Sequence, residues 1–225
     1  MKLPEISAES LFHERWKLAL AHRYSSGKAK RLMDITISST ILVVTLPLWP
    51  VIALAIKLNS RGPVFYTQMR VGKGEKVFAL SKFRSMIERA EEEGALWANE
   101  NDERVTAVGR VLRRLHVDEL PQLLHVLRGE MSLVGPRPER PEFVRQLKRE
   151  IPHYSLRHLV KPGLTGWAQV HYPYASSLEA SREKLKYDLY YVAHMSLTLD
   201  LRVLLKTGQK IFGVGPVNVN SQGKR

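Results

Sequence analysis

Two adjacent carboxylates stand in Leu115-His116-Val117-Asp118-Glu119-Leu120-Pro121-Gln122, and an arginine held between prolines follows in Gly135-Pro136-Arg137-Pro138. Together they offer two acids and a guanidinium to something phosphorylated, because a planar guanidinium on a stiff loop suits bidentate recognition of phosphate oxygens. The same residues permit a plainer reading. Asp118 falls where a helix N-cap belongs, and Glu119 would favour the positive end of that helix. Lys82, Arg84 and Lys161 are further candidates for binding an anion, with Arg70 and Arg140 behind them; each equally suits a solvated surface. The eight histidines show no metal-ligand spacing, which argues against a zinc site.

These groups need elements to position them, and the longest element is apolar. Ile35 to Ile56 is 22 residues without a charge, enough to cross a hydrocarbon core of roughly 30 Å as one straight helix. Pro47 and Pro50 near its middle each remove a backbone donor and crowd the preceding turn, so a break is expected. Lys28, Lys30 and Arg31 precede the run, and Lys57 and Arg61 follow it. Positive charge favours the cytoplasmic side, so matched flanks argue for a re-entrant helix hairpin; a kinked span is the alternative.

Ahead of this segment, Ser10 to Tyr24 intersperses Leu11, Trp16, Leu18 and Leu20 with Arg15, Lys17 and Arg23, the pattern of an amphipathic interface helix. The polar opening residues predict no secretory signal. With 35 Lys+Arg against 22 Asp+Glu the net charge is +13, which suits nucleic acid, a phospholipid surface or a phosphorylated substrate and cannot choose among them. No cysteine is present, excluding disulfides and thiolate metal sites.

Beyond the apolar run the reading is α+β, mainly helical. Val64 to Gln68 and Val77 to Leu80 read as a small β-hairpin turning at Gly72 to Glu75, which lacks the spacing of a phosphate-binding Walker loop. Helices are expected over Ile87 to Ala95, Thr106 to Leu115, Glu119 to Leu127 with Gly129 as its C-cap, Glu139 to Ile151, Leu178 to His194 and Leu197 to Phe212. Lys161 to Trp167 reads as a turn-rich loop. The apolar faces of the last two helices suit either the core or the membrane interface. The expected organisation is a basic amphipathic segment (1–31), the re-entrant membrane helix (32–59), a catalytic domain (60–214) and a tail (215–225).

At this point the chain resembles a known family. The apolar prolyl segment, Phe65-Tyr66-Thr67-Gln68 with Arg70, Lys82-Phe83-Arg84-Ser85-Met86, Asp118-Glu119-Leu120-Pro121-Gln122, Gly135-Pro136-Arg137-Pro138, Lys161-Pro162-Gly163-Leu164-Thr165-Gly166 and Tyr187-Asp188-Leu189-Tyr190-Tyr191 occur in the order found in bacterial sugar transferases. These are the monotopic polyprenyl-phosphate phosphoglycosyl transferases. Glu139-Arg140-Pro141-Glu142-Phe143 extends the likeness to the exopolysaccharide-initiating branch, and the chain resembles the catalytic core of its larger members.

The resemblance implies transfer of a sugar 1-phosphate from a UDP-sugar to undecaprenyl phosphate, with release of UMP, at the bacterial inner membrane and on its cytoplasmic face. It implies Asp118 as nucleophile through an acyl-phosphate intermediate, Glu119 beside it, and Mg²⁺ near both. Arg137, Lys82, Arg84 and Lys161 would then meet the diphosphate or the lipid phosphate, while Thr165 and Tyr187 read as structural. Membrane lipids are expected partners, nucleic acid is not, and a homo-oligomer is open. Two departures stand out: Leu46 precedes Pro47 where small members carry Ser, and His171 stands where related chains often have Asn. A catalytically silent membrane scaffold and a basic nucleic-acid-binding protein are the competing readings. None of the motifs reads the hydroxyl configuration that would name the sugar.

Overall fold

The computed structural model describes residues 23–88, 90, 102–172 and 177–211. The amphipathic segment expected over Ser10 to Tyr24 therefore lies almost wholly outside the described residues, as do the tail and most of the helix expected over Ile87 to Ala95. Just before that last element, Met86 forms an isolated antiparallel bridge with Val105, and Ile87 and Glu88 within it are not helical.

The apolar run is α1 (Lys28–Thr45), a 3-10 turn at Leu46–Leu48, then α2 (Trp49–Asn59). Pro47 sits in the turn and Pro50 in the first turn of α2, where a missing N–H costs least. No serine is needed before Pro47. The Thr45 hydroxyl donates to the Ile41 carbonyl at 2.8 Å, and the Trp49 N–H donates to the Leu46 carbonyl. By length and composition the stretch could cross a membrane.

One stripe of α1, at Lys30, Met33, Asp34, Ser38 and Leu42, is buried against the rest of the chain. Its two charged members, Lys30 and Asp34, are at the N-terminal end. Lys30 donates to Asp200 at 2.7 Å and to the Val134 carbonyl at 3.2 Å, and Asp34 accepts from Ser132 Oγ and Leu133 N–H. On α2, Ile52 and Ile56 join Phe83 and Leu112, and Trp49 meets the stacked Phe65 and Phe83 rings. The opposite side is bare: Val43, Val44, Leu46, Val51, Leu54 and Leu58 are exposed, Leu58 by 79%.

β1 (Phe65–Val71) and β2 (Val77–Phe83) form the antiparallel hairpin, each strand running three residues past the C-terminal bound that the apolar pattern marks. The extension includes Arg70 and Lys82, polar residues that the alternation rule assigns to a turn. α3 (Ala107–Arg114) starts at an N-cap Thr106 that accepts from Gly109 N–H at 3.0 Å. Gly109 is required there, since a Cβ would lie 1.9 Å from the Ser85 carbonyl oxygen.

After α3, His116 takes a left-handed conformation (φ 55°) and a 3-10 turn, Val117–Glu119, precedes α4 (Gln122–Arg128). This corrects the expected helix over Glu119 to Leu127. Pro121, not Asp118, is the N-cap, and Asp118 makes no capping bond. Pro121 has no N–H to offer an earlier turn and its fixed φ is already helical, so the α-helix begins behind it.

The loop expected over Lys161 to Trp167 instead contributes a strand. β3 (Ser132–Val134) and β4 (Gly163–Thr165) pair in parallel, a second sheet missed because each is only three residues long. Gly163 and Gly135 pack backbone to backbone; a Cβ on Gly163 would fall 2.1 Å from Gly135 N. α5 (Pro141–Glu150), a 3-10 stretch at Tyr154–Leu159, α6 (Trp167–His171), α7 (Leu178–His194) and α8 (Leu197–Ile211) complete the described fold. The main core joins Leu123 and Val126 of α4, Leu133 and Val134 of β3, Tyr191 and Val192 of α7 and Val203 of α8. Each such buried side chain contributes roughly 1.5–3 kcal/mol.

Candidate active site

Three separate elements bring their polar groups to one place. The 3-10 turn supplies Asp118 and Glu119, the end of β2 supplies Lys82, and the loop after β3 supplies Arg137. Lys82 shares a strand face with Phe78 and Leu80, both packed on the main core that includes α4, so it emerges beside the turn. Its ammonium lies 5.3 Å from the Tyr66 ring centre.

Arg137 clamps Glu119 with both terminal nitrogens, so the pairing is bidentate. Burial alone would raise the Glu119 carboxyl; the charge and hydrogen bonds of Arg137 outweigh it and hold the carboxyl below its ordinary range. Asp118 is different. It is 6% exposed, and no described residue donates a hydrogen bond to its carboxylate. Burial, then the neighbouring Glu119 charge, pushes its carboxyl up, against the pull of Lys82, Arg113 and Arg137. Burial, opposed by Asp118 and aided by Arg113, Arg70 and Arg137, brings the Lys82 ammonium down to about 8.

The loop holding Arg137 is itself braced. Arg157 donates to the Arg137 carbonyl at 2.7 Å while paired with Asp188 at 2.9 Å, both ions being almost fully buried. Arg70 donates to the Pro138 carbonyl at 3.1 Å and to Gln68 at 2.5 Å, and lies 3.8 Å from Glu139. Glu139 in turn pairs with Lys184 at 2.7 Å. Burial would raise the Glu139 carboxyl, but Lys184, Arg157 and Arg70 bring it down to about 2.

Of the residues singled out from sequence, Asp118, Glu119, Lys82 and Arg137 converge, and Arg70 stands behind the Arg137 loop. Arg84 does not face the pair. It is buried, and its Nη2 donates to the Ser60 carbonyl and hydroxyl at 2.7 and 3.0 Å, fastening the exit of α2. Arg140 lies over the Phe143 ring beside Glu142, and Lys161 sits near Gly129 and Arg31 on the base of α1. Pro47 and Pro50 lie in the 3-10 turn and in the first turn of α2. Sequence reasoning missed Arg113, whose Nε donates to Ser85 Oγ at 2.9 Å and whose charge reaches Asp118 and Lys82. At the end of α3 it read as one more basic helix terminus. It missed the Arg157–Asp188 brace as well, although Asp188 lies inside a motif already noted.

Among the described residues no group of three or more His, Asp or Glu side chains converges as a metal cage. A buried carboxylate to which no described residue donates a hydrogen bond, next to a second one, does fit Mg²⁺. That ion takes one or two carboxylates and fills its other positions with substrate phosphate oxygens and water.

The bacterial sugar transferase profile matches residues 25–214. Over 178 residues the chain is 49% identical to a UDP-N-acetylgalactosamine-undecaprenyl-phosphate N-acetylgalactosaminephosphotransferase of Aeromonas hydrophila, covering 79% of this chain and 42% of that protein. It is 43% identical over 185 residues to a UDP-glucose:undecaprenyl-phosphate glucose-1-phosphate transferase of Klebsiella pneumoniae, covering 81% of this chain and 40% of that one. A Bacillus subtilis relative known only as an uncharacterized sugar transferase, EpsL, is 40% identical over 182 residues, with 81% and 86% covered. The chain thus spans less than half the length of the first two. All three alignments cover most of this sequence, and the profile runs from just before α1 to just past α8; the chain belongs to the bacterial sugar transferase family.

Proposed function

We propose that this chain transfers a sugar 1-phosphate from a UDP-sugar to undecaprenyl phosphate, releasing UMP, as the first membrane step of exopolysaccharide or related glycan assembly. The observation that carries this is the Asp118 carboxylate: buried, receiving no hydrogen bond from a described residue, and under the charge of Lys82, Arg113 and Arg137. An ionised carboxylate that costs energy to keep in place is a competent nucleophile, and it is also a good leaving group from phosphorus.

Asp118 Oδ attacks the sugar-bearing phosphorus of the UDP-sugar. The bond from that phosphorus to the bridging oxygen breaks, and UMP departs with the electron pair. A phosphate oxygen of undecaprenyl phosphate then attacks the same phosphorus, the acyl-phosphate bond breaks, and Asp118 regains its carboxylate. Lys82, Arg113 and Arg137 favour the ionised form of Asp118 and draw phosphate oxygens to it. Glu119 holds Arg137 in register, and Arg157 and Arg70 hold its loop. Asp118 and Glu119 would hold Mg²⁺, which when bound offsets the charge of one anion approaching another.

The re-entrant reading of α1 and α2 is part of this proposal. Lys30 and Asp34 at the start of α1 bond to β3 and α8, while Asn59 and Ser60 at the end of α2 bond to Val108 and Arg84. Both ends thus touch one compact catalytic domain, which supports their lying on one side of the bilayer with the bare apolar break dipping in. That side is the cytoplasmic one, where UDP-sugars are made and positive flanks are retained. A UMP-release screen across UDP-sugars, using membrane fractions with Mg²⁺ and undecaprenyl phosphate, tests the activity. Membranes that retain the chain but release UMP from no UDP-sugar would favour a silent scaffold.

A further inference from the structure

His125 lies on α4, and nothing in the proposed chemistry uses it. It is 3% exposed, and both of its ring nitrogens are engaged. Nε2 accepts the backbone N–H of Ser81 at 3.1 Å, and Nδ1 lies 2.7 Å from the Glu130 carboxylate. A nitrogen that accepts from a backbone amide carries no proton, so the ring proton is on Nδ1 and is donated to Glu130.

Ser81 is the residue immediately before Lys82. In the hairpin it is paired opposite Thr67, but its N–H turns outward from β1 to meet the imidazole. Among the described residues the sheet has two strands, so β2 is an edge strand on that side and the Ser81 N–H has no strand partner there. His125 supplies the missing partner. The Phe78 ring, at a centroid distance of 5.8 Å, closes one flank of the imidazole.

The connections form a closed circuit. Asp118 and Glu119 sit in the turn that leads into α4; α4 carries His125; His125 holds Ser81; and Ser81 is joined to Lys82, on the strand that packs against the Asp118 turn. A displacement of β2 by about 1 Å at Ser81 would carry Lys82 with it, and errors of that size are enough to spoil a reacting geometry. Glu130, 41% exposed at the end of the α4 connection, fixes which nitrogen faces the strand. Without it the imidazole could turn a second N–H toward the Ser81 N–H, donor against donor.

We infer that His125, with its tautomer set by Glu130, is a positioning residue that fixes the end of β2, and so Lys82, beside the turn that carries Asp118. It touches no substrate. A role limited to filling the core would be served by any residue of similar volume. A positioning role needs an acceptor at the Nε2 place.

The test reads Lys82 itself, in the full chain in lipid nanodiscs. Competitive labelling with an amine-reactive reagent across pH, resolved by mass spectrometry, gives the titration midpoint of Lys82. In the parent protein it is expected near 8. His125→Leu, which fills the space without an acceptor, should raise the midpoint by one unit or more as Lys82 swings toward solvent, and should lower kcat for UMP release at least tenfold with a smaller change in KM. His125→Gln, which can still accept from Ser81, should restore both toward the parent values. Val126→Ala on the same helix, a packing defect without this bond, should leave the midpoint in place. Should His125→Leu fail to fold, Glu130→Ala at its half-exposed site decides, with a shift in the same direction. An unchanged midpoint in the folded variants overturns the inference, as does an equal shift in Val126→Ala. The kinetic arm rests on the transferase reading and the labelling arm does not. A parent protein that releases no UMP yet shows the midpoint shift therefore rejects the reaction while upholding the positioning.

Discussion

Arg137 grips both oxygens of Glu119 from a loop that Arg157 and Arg70 hold in place. The adjacent Asp118, more deeply buried, receives no hydrogen bond from any described residue. Two neighbouring carboxylates are thereby given different work, one tied into the scaffold and one kept reactive.

Asp118→Asn should accordingly remove turnover and any phosphosugar adduct while leaving the fold intact. The amide is isosteric, loses no hydrogen bond that the carboxylate made, and removes a buried charge. Thermal unfolding should match or exceed the parent. Glu119→Gln should lower activity too, but with a cost in stability of about 1–3 kcal/mol, since a partly buried guanidinium loses its charged partner. Adduct formation in Asp118→Asn, detected by intact mass after incubation with UDP-sugar, would remove this residue from the nucleophile role.

Lys82 gives the reaction a pH limb. Its folded value of about 8 lies below that of an ordinary lysine, so its positive charge is present below pH 8 and is lost as pH rises through that value. UMP release should decline above pH 8, and Lys82→Arg, which cannot lose its proton, should move the decline to higher pH. Stability runs differently at Glu139. Its folded value of about 2 is depressed, so the contribution is complete above the unfolded value and is lost as pH falls from about 4.5 toward 2, amounting to about 3 kcal/mol. Denaturant midpoints measured across that window check it, with Glu139→Gln expected to flatten the fall.

The Lys30–Asp200 pair joins the foot of α1 to α8, with Tyr24 and Tyr191 also donating to Asp200. Asp200→Leu strands a buried ammonium and should cost about 3–5 kcal/mol; the double variant Lys30→Met/Asp200→Leu should recover much of that. Detergent-solubilised unfolding curves distinguish the two. Equal losses would mean that the pair carries no such coupling.

How far these features could be read beforehand depended on chain separation. The carboxylate pair, Arg137 and Lys82 were legible because each sits in a short motif whose residue types announce phosphate chemistry. The prolyl break was legible because a missing N–H acts locally. Arg113 and His125 were not, because their meaning comes from Ser85 and Ser81, which are distant in sequence and chemically ordinary. Pairing of Ser132–Val134 with Gly163–Thr165 was hidden for a related reason. Strands of three residues carry no periodicity, and the signal lay in Gly135 and Gly163, where two backbones touch. Asp118 was misread as an N-cap because Asp before an apolar helix obeys the capping rule, and Pro121 displaced the helix start.

The topology prediction uses the absence of native cysteine. Lys28→Cys and Arg61→Cys, both at exposed positions flanking α1 and α2, should each resist a membrane-impermeant thiol reagent added to intact cells and react after permeabilisation. Labelling of one site alone from outside would establish a spanning helix and reject the re-entrant hairpin.

The order of chemical events is the last expectation, and it follows from an unbonded Asp118. If this carboxylate takes the phosphosugar, UMP must leave before the lipid acceptor reacts, and initial rates should give parallel, ping-pong patterns. The same intermediate lets labelled UMP exchange into UDP-sugar with no undecaprenyl phosphate present. Chelation of Mg²⁺ should stop that exchange, since Lys82, Arg113 and Arg137 already balance Asp118 and Glu119 and leave little charge to offset an arriving diphosphate. A direct attack by the lipid phosphate would instead require both substrates together, giving intersecting patterns and no exchange. That result would leave Asp118 as a ligand or a positioning group, and its burial without a hydrogen-bond partner would then have to be explained by the metal alone.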